Sequence, residues 1–138
     1  VEHLHQNGLA HLDIKPENIV LTKEFEPKII DFDTVNGGEP QLLGRGTRNF
    51  RALELLSGKV YDSKACDIYS LGVLLFFMKT SGMIPFKEQS FENFCGESST
   101  KSLLVPENHF GKYFQENKEK FWKIHSKLTG EKINFTED

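Results

Sequence analysis

Asp13, Lys15, Asn18 and Asp31 are the side chains of this chain whose types and spacing suggest chemistry. Three of them fall between positions 13 and 18, with Pro16 among them to stiffen the loop. Asn18 and Asp31 offer hard oxygen donors, the kind Mg²⁺ takes when it binds through one or two carboxylates plus substrate phosphates. A carboxylate such as Asp13 can accept a proton from an attacking hydroxyl. A lysine such as Lys15 can offset the charge of a group in transfer. Acid–base, cation and metal donors together are the parts of a phosphoryl-transfer site. Scattered turn polars would not need this spacing.

Those residues need elements to bring them together. Ile19-Val20-Leu21 and Lys28-Ile29-Ile30 are short β-branched runs flanking a turn, which predicts a hairpin. A hairpin brings its two ends side by side, so Asn18 and Asp31 are expected as neighbours. Ahead of it, residues 1–8 read as the tail of a helix capped by Gly8. After it, residues 31–51 are rich in Gly, Asn, Arg and Thr without period, the mark of a functional loop. Residues 52–56 predict one or two helical turns, stopped at Ser57-Gly58.

A long helix then follows, with Ser63 as its N-cap, Asp67 in its first turn and an apolar run from Ile68 to Met78 buried on all sides. Residues 86–102 read as loop, with Ser98-Ser99-Thr100 as part of it, and two amphipathic helices fit 108–116 and 117–128. The fold class is α+β, mainly α.

Composition narrows the functions. Seventeen basic against 20 acidic residues give a net charge of -3, which argues against a nucleic-acid partner. Cys66 and Cys95 stand far apart, so neither a disulfide framework nor a zinc knuckle is indicated, and Cys66 reads as a small core residue. His3 and His5 are two apart on a helix and point to different faces, poor geometry for a shared metal. The apolar run is too short to cross a bilayer, which takes about 20 residues, and no signal peptide opens the chain. A cytoplasmic, intracellular location is expected. Val1 in place of Met suggests a piece of a longer chain.

His11-Leu12-Asp13-Ile14-Lys15-Pro16-Glu17-Asn18 resembles the catalytic loop of eukaryotic-type protein kinases, His-Arg-Asp-Leu-Lys-Pro-Glu-Asn. Asp31-Phe32-Asp33 resembles Asp-Phe-Gly. Gly46-Thr47 with Ala52-Leu53-Glu54 is similar to the Gly-Thr…Ala-Pro-Glu end of the activation segment. Asp67-Ile68-Tyr69-Ser70-Leu71-Gly72 resembles the start of the family's large central helix, and Pro85-Phe86 the step after it. Ordered motifs are far more specific than any one of them.

The resemblance implies a partial protein kinase domain over residues 1–138, corresponding to the larger, helical lobe and incomplete at both ends. Its catalytic loop would be 11–18, its activation segment 31–54 and its central helix about 64–80. The implied activity is that of a serine/threonine kinase, with ATP and Mg²⁺ and a protein substrate, the N-terminal lobe being expected elsewhere in the full-length chain and the 138 residues alone being inactive.

By the same resemblance Asp13 would be the catalytic base and Lys15 would contact the γ-phosphate. Asn18 and Asp31 would hold magnesium, and Val20 would lie under the adenine. Thr47 would close the acceptor site, and Glu54 would pair with an Arg beyond residue 138. His11 and Phe32 would stack in the apolar column linking the lobes, and Asp67 would hold the catalytic-loop backbone.

Three positions depart from the family pattern. Leu12 stands where an Arg normally receives an activation-loop phosphate, so control through that contact is not expected. Asp33 stands in place of Gly, at a cost of about 1 kcal/mol if that position requires φ > 0. Leu53 stands in place of Pro. Arg45, Arg48 and Arg51 cluster in the segment, either as a solvated face or as contacts for an anionic group; Thr47-Arg48-Asn49-Phe50-Arg51 resembles the Thr-Arg-x-Tyr-Arg of proline-directed kinases. Two other functions compete. Leu12 and Asp33 favour a pseudokinase scaffold while the intact Asp13, Lys15, Asn18 and Asp31 oppose it, and a small-molecule phosphotransferase would share Asp31-Phe32-Asp33 but not the later motifs.

Overall fold

The computed structural model describes residues 1–37, 45–56, 61–89, 93 and 109–130. Among them the order is helix α1 (Glu2–Gln6), a 3₁₀ turn at Pro16–Asn18, strands β1 (Ile19–Leu21) and β2 (Pro27–Ile29), a 3₁₀ turn at Leu53–Leu56, α2 (Ser63–Lys79) and α3 (His109–Thr129). The mainly helical class with one small hairpin agrees with the sequence reading. The Ser57-Gly58 stop, Cys95, most of 86–102 with its Ser98-Ser99-Thr100 patch, and part of 31–54 lie outside the described residues.

β1 and β2 pair antiparallel in the register Ile19↔Ile29, Val20↔Lys28, Leu21↔Pro27. Pro27 has no N–H to give a ladder and sits at the strand's first position, where none is needed. The Ile30 N–H donates to the Asn18 carbonyl at 2.9 Å, so the hairpin brings Asn18 and Asp31 to adjacent chain ends as expected. An isolated bridge, Ala10 with Asn36, ties the residues after Asp31 back onto the segment before Asp13.

Helix α2 is the structural axis. Its N-cap is Asp62, not Ser63: the Asp62 carboxylate accepts from the Lys64 and Ala65 N–H groups, and its charge also suits the positive end of the helix dipole. Asp67 is therefore one turn inside the helix. Nor is α2 buried on all sides. Cys66, Asp67, Ser70, Val73, Leu74 and Phe76 face inward, while Ile68, Leu75 and Met78 are exposed. The inward face meets a core of Ala10, Leu12, Ala52, Leu55 and Cys66, with Tyr61 and Tyr69 packed against it. A second cluster joins Leu53, Leu56 and Tyr113.

The two helices expected over 108–128 are one, His109–Thr129. Asn117, read as the start of a second helix, instead donates its side-chain amide to the Tyr113 carbonyl one turn back, at 2.8 Å. Bonded that way, an Asn is carried inside a helix without ending it.

Candidate active site

The loop that carries the site is held from below by Asp67. This side chain is completely buried, and its two oxygens accept the His11 and Leu12 backbone N–H groups, each at 2.8 Å. The His5 imidazole reaches the same carboxylate at 2.8 Å. A buried carboxylate costs several kcal/mol unless its oxygens are satisfied, and here three donors surround it. His5 is the residue the sequence reading missed. No local pattern links position 5 to position 67.

Leu12 sits at φ 66 with its side chain 3 % exposed. A left-handed leucine costs about 1–2 kcal/mol, offset here by burial of its side chain in the core and by the Asp67 bond. The left-handed conformation feared for Asp33 falls elsewhere: Asp31 has φ 63, and Asp33 is not among the positive-φ residues. An Asp tolerates that region better than most side chains.

His11 is buried beneath the loop. The Asp13 N–H donates to its Nδ1 at 3.2 Å, which leaves Nε2 as the protonated nitrogen, 3.1 Å from the Ile30 carbonyl. The same ring meets Phe32 edge to face, centroids 5.5 Å apart and planes at 69°, so the two do touch but are not stacked face to face. Thr34 donates its hydroxyl to the His11 carbonyl at 2.6 Å.

Asp13, Lys15, Asn18 and Thr47 form one hydrogen-bonded group. The Thr47 hydroxyl donates to Asp13 Oδ1 at 2.5 Å, and Lys15 Nζ donates to Thr47 Oγ1 at 2.8 Å. Lys15 also stands 3.2 Å from Asp13 Oδ2. The Asn18 amide donates to the Asp13 carbonyl at 2.8 Å and reaches its carboxylate at 3.3 Å. Position 47 thus comes to within a hydrogen bond of position 13, 34 residues earlier in the sequence.

The remaining predicted residues lie around this group. Asp31 accepts from the Asp33 N–H at 3.4 Å and is exposed at the end of the hairpin. Val20 and Phe32 are both exposed. Glu54 takes a contact from the Cys66 thiol, Sγ to Oε1 3.7 Å. Burial, and then the Glu54 carboxylate, push the Cys66 thiol above its ordinary range, so it is a neutral core group. The Asn18–Asp31 pair suits a cation that fills its shell with substrate oxygens and water. No cluster of three His, Cys, Asp or Glu able to cage a metal occurs among the described residues.

Within the arginine cluster, Arg48 is exposed, as the solvated-face reading has it, whereas Arg51 departs from both sequence readings. Arg51 lays its fork on Glu88, Nε to Oε1 2.8 Å and Nη2 to Oε2 3.0 Å. Arg48 reaches Gln89 at 3.5 Å and lies 4.0 Å from Glu88. Arg51 is therefore neither a solvated side chain nor an open anion contact.

Comparison with known proteins agrees with these features. The protein kinase domain family matches residues 1–134. Sperm motility kinase 2B of Mus musculus is 37% identical over 109 residues, covering 77% of this chain and 22% of that protein. The serine/threonine-protein kinase kin-29 of Caenorhabditis briggsae is 44% identical over 93 residues, 65% of this chain and 11% of that one. Carbon catabolite-derepressing protein kinase of Secale cereale is 30% identical over 109 residues, again 77% and 22%. The chain thus spans about a fifth or less of the curated relatives it matches. With the catalytic-loop motif, the hairpin and the Asp67 anchor all in place over a match of this length, the chain belongs to the protein kinase family.

Proposed function

We propose that the protein containing this chain transfers the γ-phosphate of ATP to serine or threonine hydroxyls of other proteins, and that residues 1–138 form most of the larger, helical lobe of its kinase domain. The observation that carries this reading is the Asp13–Lys15–Thr47 triangle. It holds a carboxylate, an ammonium and a hydroxyl within hydrogen-bonding distance at the end of a motif built for phosphoryl transfer.

In this reading Asp13 accepts the proton of the acceptor hydroxyl as that oxygen bonds to the γ-phosphorus and the bond to ADP breaks. Thr47 and Asn18 each bond Asp13 and restrict its carboxylate to one orientation. Lys15, 3.2 Å from Asp13, offsets negative charge as the phosphoryl group passes. Asn18 and Asp31 would hold Mg²⁺, which when bound neutralises phosphate charge. Val20 would lie under the adenine, and Glu54 would close the segment 31–54.

Taken alone, the 138 residues are expected to be inactive. Transfer depends on positioning both substrates, and the family resemblance assigns the covering of the phosphates to a smaller lobe elsewhere in the whole protein.

The test uses the full-length protein with Mg-ATP and Ser/Thr peptides. Asp13→Asn is expected to lower turnover by roughly 10²–10⁴ with ATP affinity retained, and Asp31→Ala to weaken Mg-ATP binding. Equal Mg-ATP binding by wild type and Asp31→Ala would remove the metal role from Asp31. Undiminished transfer by Asp13→Asn would overturn the reading.

A further inference from the structure

Glu88 is completely buried, yet it is a charged residue on the segment after α2, with no place in the motifs of the sequence. Among the described residues, its side chain bonds to one short stretch of chain, residues 48–51. Its Oε1 accepts the Asn49 N–H at 3.1 Å and Arg51 Nε at 2.8 Å, its Oε2 accepts Arg51 Nη2 at 3.0 Å, and Arg48 Nη1 stands 4.0 Å away. Asn49 returns the contact, its side-chain oxygen accepting the Glu88 N–H at 3.0 Å. Asn49 is itself left-handed, at φ 71. That conformation persists in a non-glycine residue when surrounding bonds over-determine it, and the reciprocal Asn49–Glu88 pair does so.

The stretch so held is directly coupled to Thr47. The Thr47 carbonyl accepts the Phe50 and Arg51 N–H groups, both at 3.0 Å, so 47–51 is a single hydrogen-bonded turn. Its far side is fixed by the Ser70 hydroxyl on α2, which donates to the Phe50 carbonyl at 2.8 Å, and by the edge contact of Phe50 with Phe77. The hydroxyl at the head of this turn bonds Asp13 and takes a bond from Lys15. Rotation of the backbone at 49–51 must therefore carry Thr47 with it.

A buried ion pair is a weak source of stability, because an apolar pair of similar volume often does as well. What a bidentate carboxylate–guanidinium pair adds is direction, since its fork accepts one geometry. We propose that Glu88 is a positioning residue for the acceptor side of the site: acting through Arg51 and Asn49, it sets the turn that presents Thr47 and thereby the seat of the protein substrate. This rests on the phosphotransfer reading above and adds to it a determinant of peptide binding lying 75 residues along the chain from Asp13.

The experiment uses the full-length protein, Mg-ATP and a serine peptide selected from a positional peptide library. Glu88→Gln and Arg51→Met are each expected to raise the KM for peptide by about tenfold or more, as displacement of a positioning element does, while the KM for ATP stays within twofold. The double variant is expected to lose no more than either single one, because both remove the same contact.

A merely structural role would lower the fraction of active enzyme, and hence kcat, with both KM values unchanged. That result, or full additivity of the two variants, would overturn the proposal.

A second measurement is independent of activity. Trypsin cleavage after Arg48 should be slow in the native wild type and at least tenfold faster in Glu88→Gln, at a temperature where both remain folded by circular dichroism. Equal cleavage rates would overturn the clamp. Wild-type protein inactive on every peptide would overturn the phosphotransfer reading instead, and the cleavage rates would still decide whether Glu88 holds the turn.

Discussion

Gly46 and Leu12 meet backbone to side-chain position: a Cβ at Gly46 would lie 2.7 Å from the Leu12 carbonyl oxygen and 3.1 Å from the Arg51 Cβ. Gly46 is also at φ 82, where an L side chain is strained whatever the space around it. This close approach lets the chain around Gly46 lie against the loop 11–18, with Thr47 next in line to reach Asp13.

Gly46→Ala should therefore be costly twice over. The expected loss is about 1–3 kcal/mol of stability from the backbone conformation and the clash. Turnover should fall further than stability alone explains, because Thr47 is pushed off Asp13. Chemical denaturation and initial rates on the full-length variant check both parts. Wild-type turnover in Gly46→Ala would show that the approach does not matter to the site.

Asp67→Asn replaces a two-oxygen acceptor by one oxygen and an NH₂ group. One of the His11 and Leu12 N–H groups then loses its partner, and an unmade buried hydrogen bond costs about 1–3 kcal/mol. The expected outcome is lower stability with a loop no longer fixed beneath Asp13, read as faster amide exchange at His11 and Leu12. His5→Ala, which removes one of the donors to Asp67, should act in the same direction and less strongly.

Alkaline pH should unfold the protein earlier than an average core would allow. The Cys66 thiol is pushed above its ordinary 9.0 by burial and then by Glu54, while Tyr61 and Tyr69 are pushed above 10.0 chiefly by burial. A raised pKa in the folded state means that stability is fully present below the ordinary value and is lost as pH rises through the folded one. Stability should accordingly be flat to about pH 9 and fall above it. In Cys66→Ala the fall above pH 9 should be shallower. A thermal-melt series from pH 7 to 11 measures it, and equal slopes in the two proteins would remove Cys66 from the account.

Phosphorylation of the activation segment should not be required for activity. The usual clamp joins a loop phosphate to an Arg beside the catalytic Asp, and Leu12 at that place is packed among Ala10, Ala52, Leu55 and Cys66. Thr34 already donates its hydroxyl to the His11 carbonyl, and Thr47 donates to Asp13. Phosphatase treatment of the full-length protein should leave initial rates within twofold. A tenfold drop restored by rephosphorylation at Thr34 would overturn this reading of Leu12.

Much of this molecule is local information. The order of elements follows from residue pattern: β-branched runs make the hairpin, Gly8 ends α1, and the apolar run makes α2. The loop 11–18 could be picked out as chemical because its acid, base and amide lie within a few residues on a chain segment stiffened by Pro16. Helix ends were less certain, since Asp62 and Ser63 are both good caps and only the backbone path decides between them. Two amphipathic patterns fit 108–116 and 117–128, whereas the fold runs through as one helix in which the Tyr113 carbonyl one turn back satisfies the Asn117 side chain.

Long-range contacts are another matter. Composition and period around Thr47 do not say that its hydroxyl reaches Asp13; only the family resemblance sets it near the acceptor site. Nothing near Glu88 says that it receives Arg51, or near His5 that it bonds Asp67. Each of these pairs is joined by packing of separate segments against α2, whose buried carboxylate and inward face fix where the loop 11–18 and the turn 47–51 come to rest. Pattern along the chain determined which residues have the chemistry. Burial decided which of them share a site, because a charged group taken out of water must find its partner wherever the fold brings one.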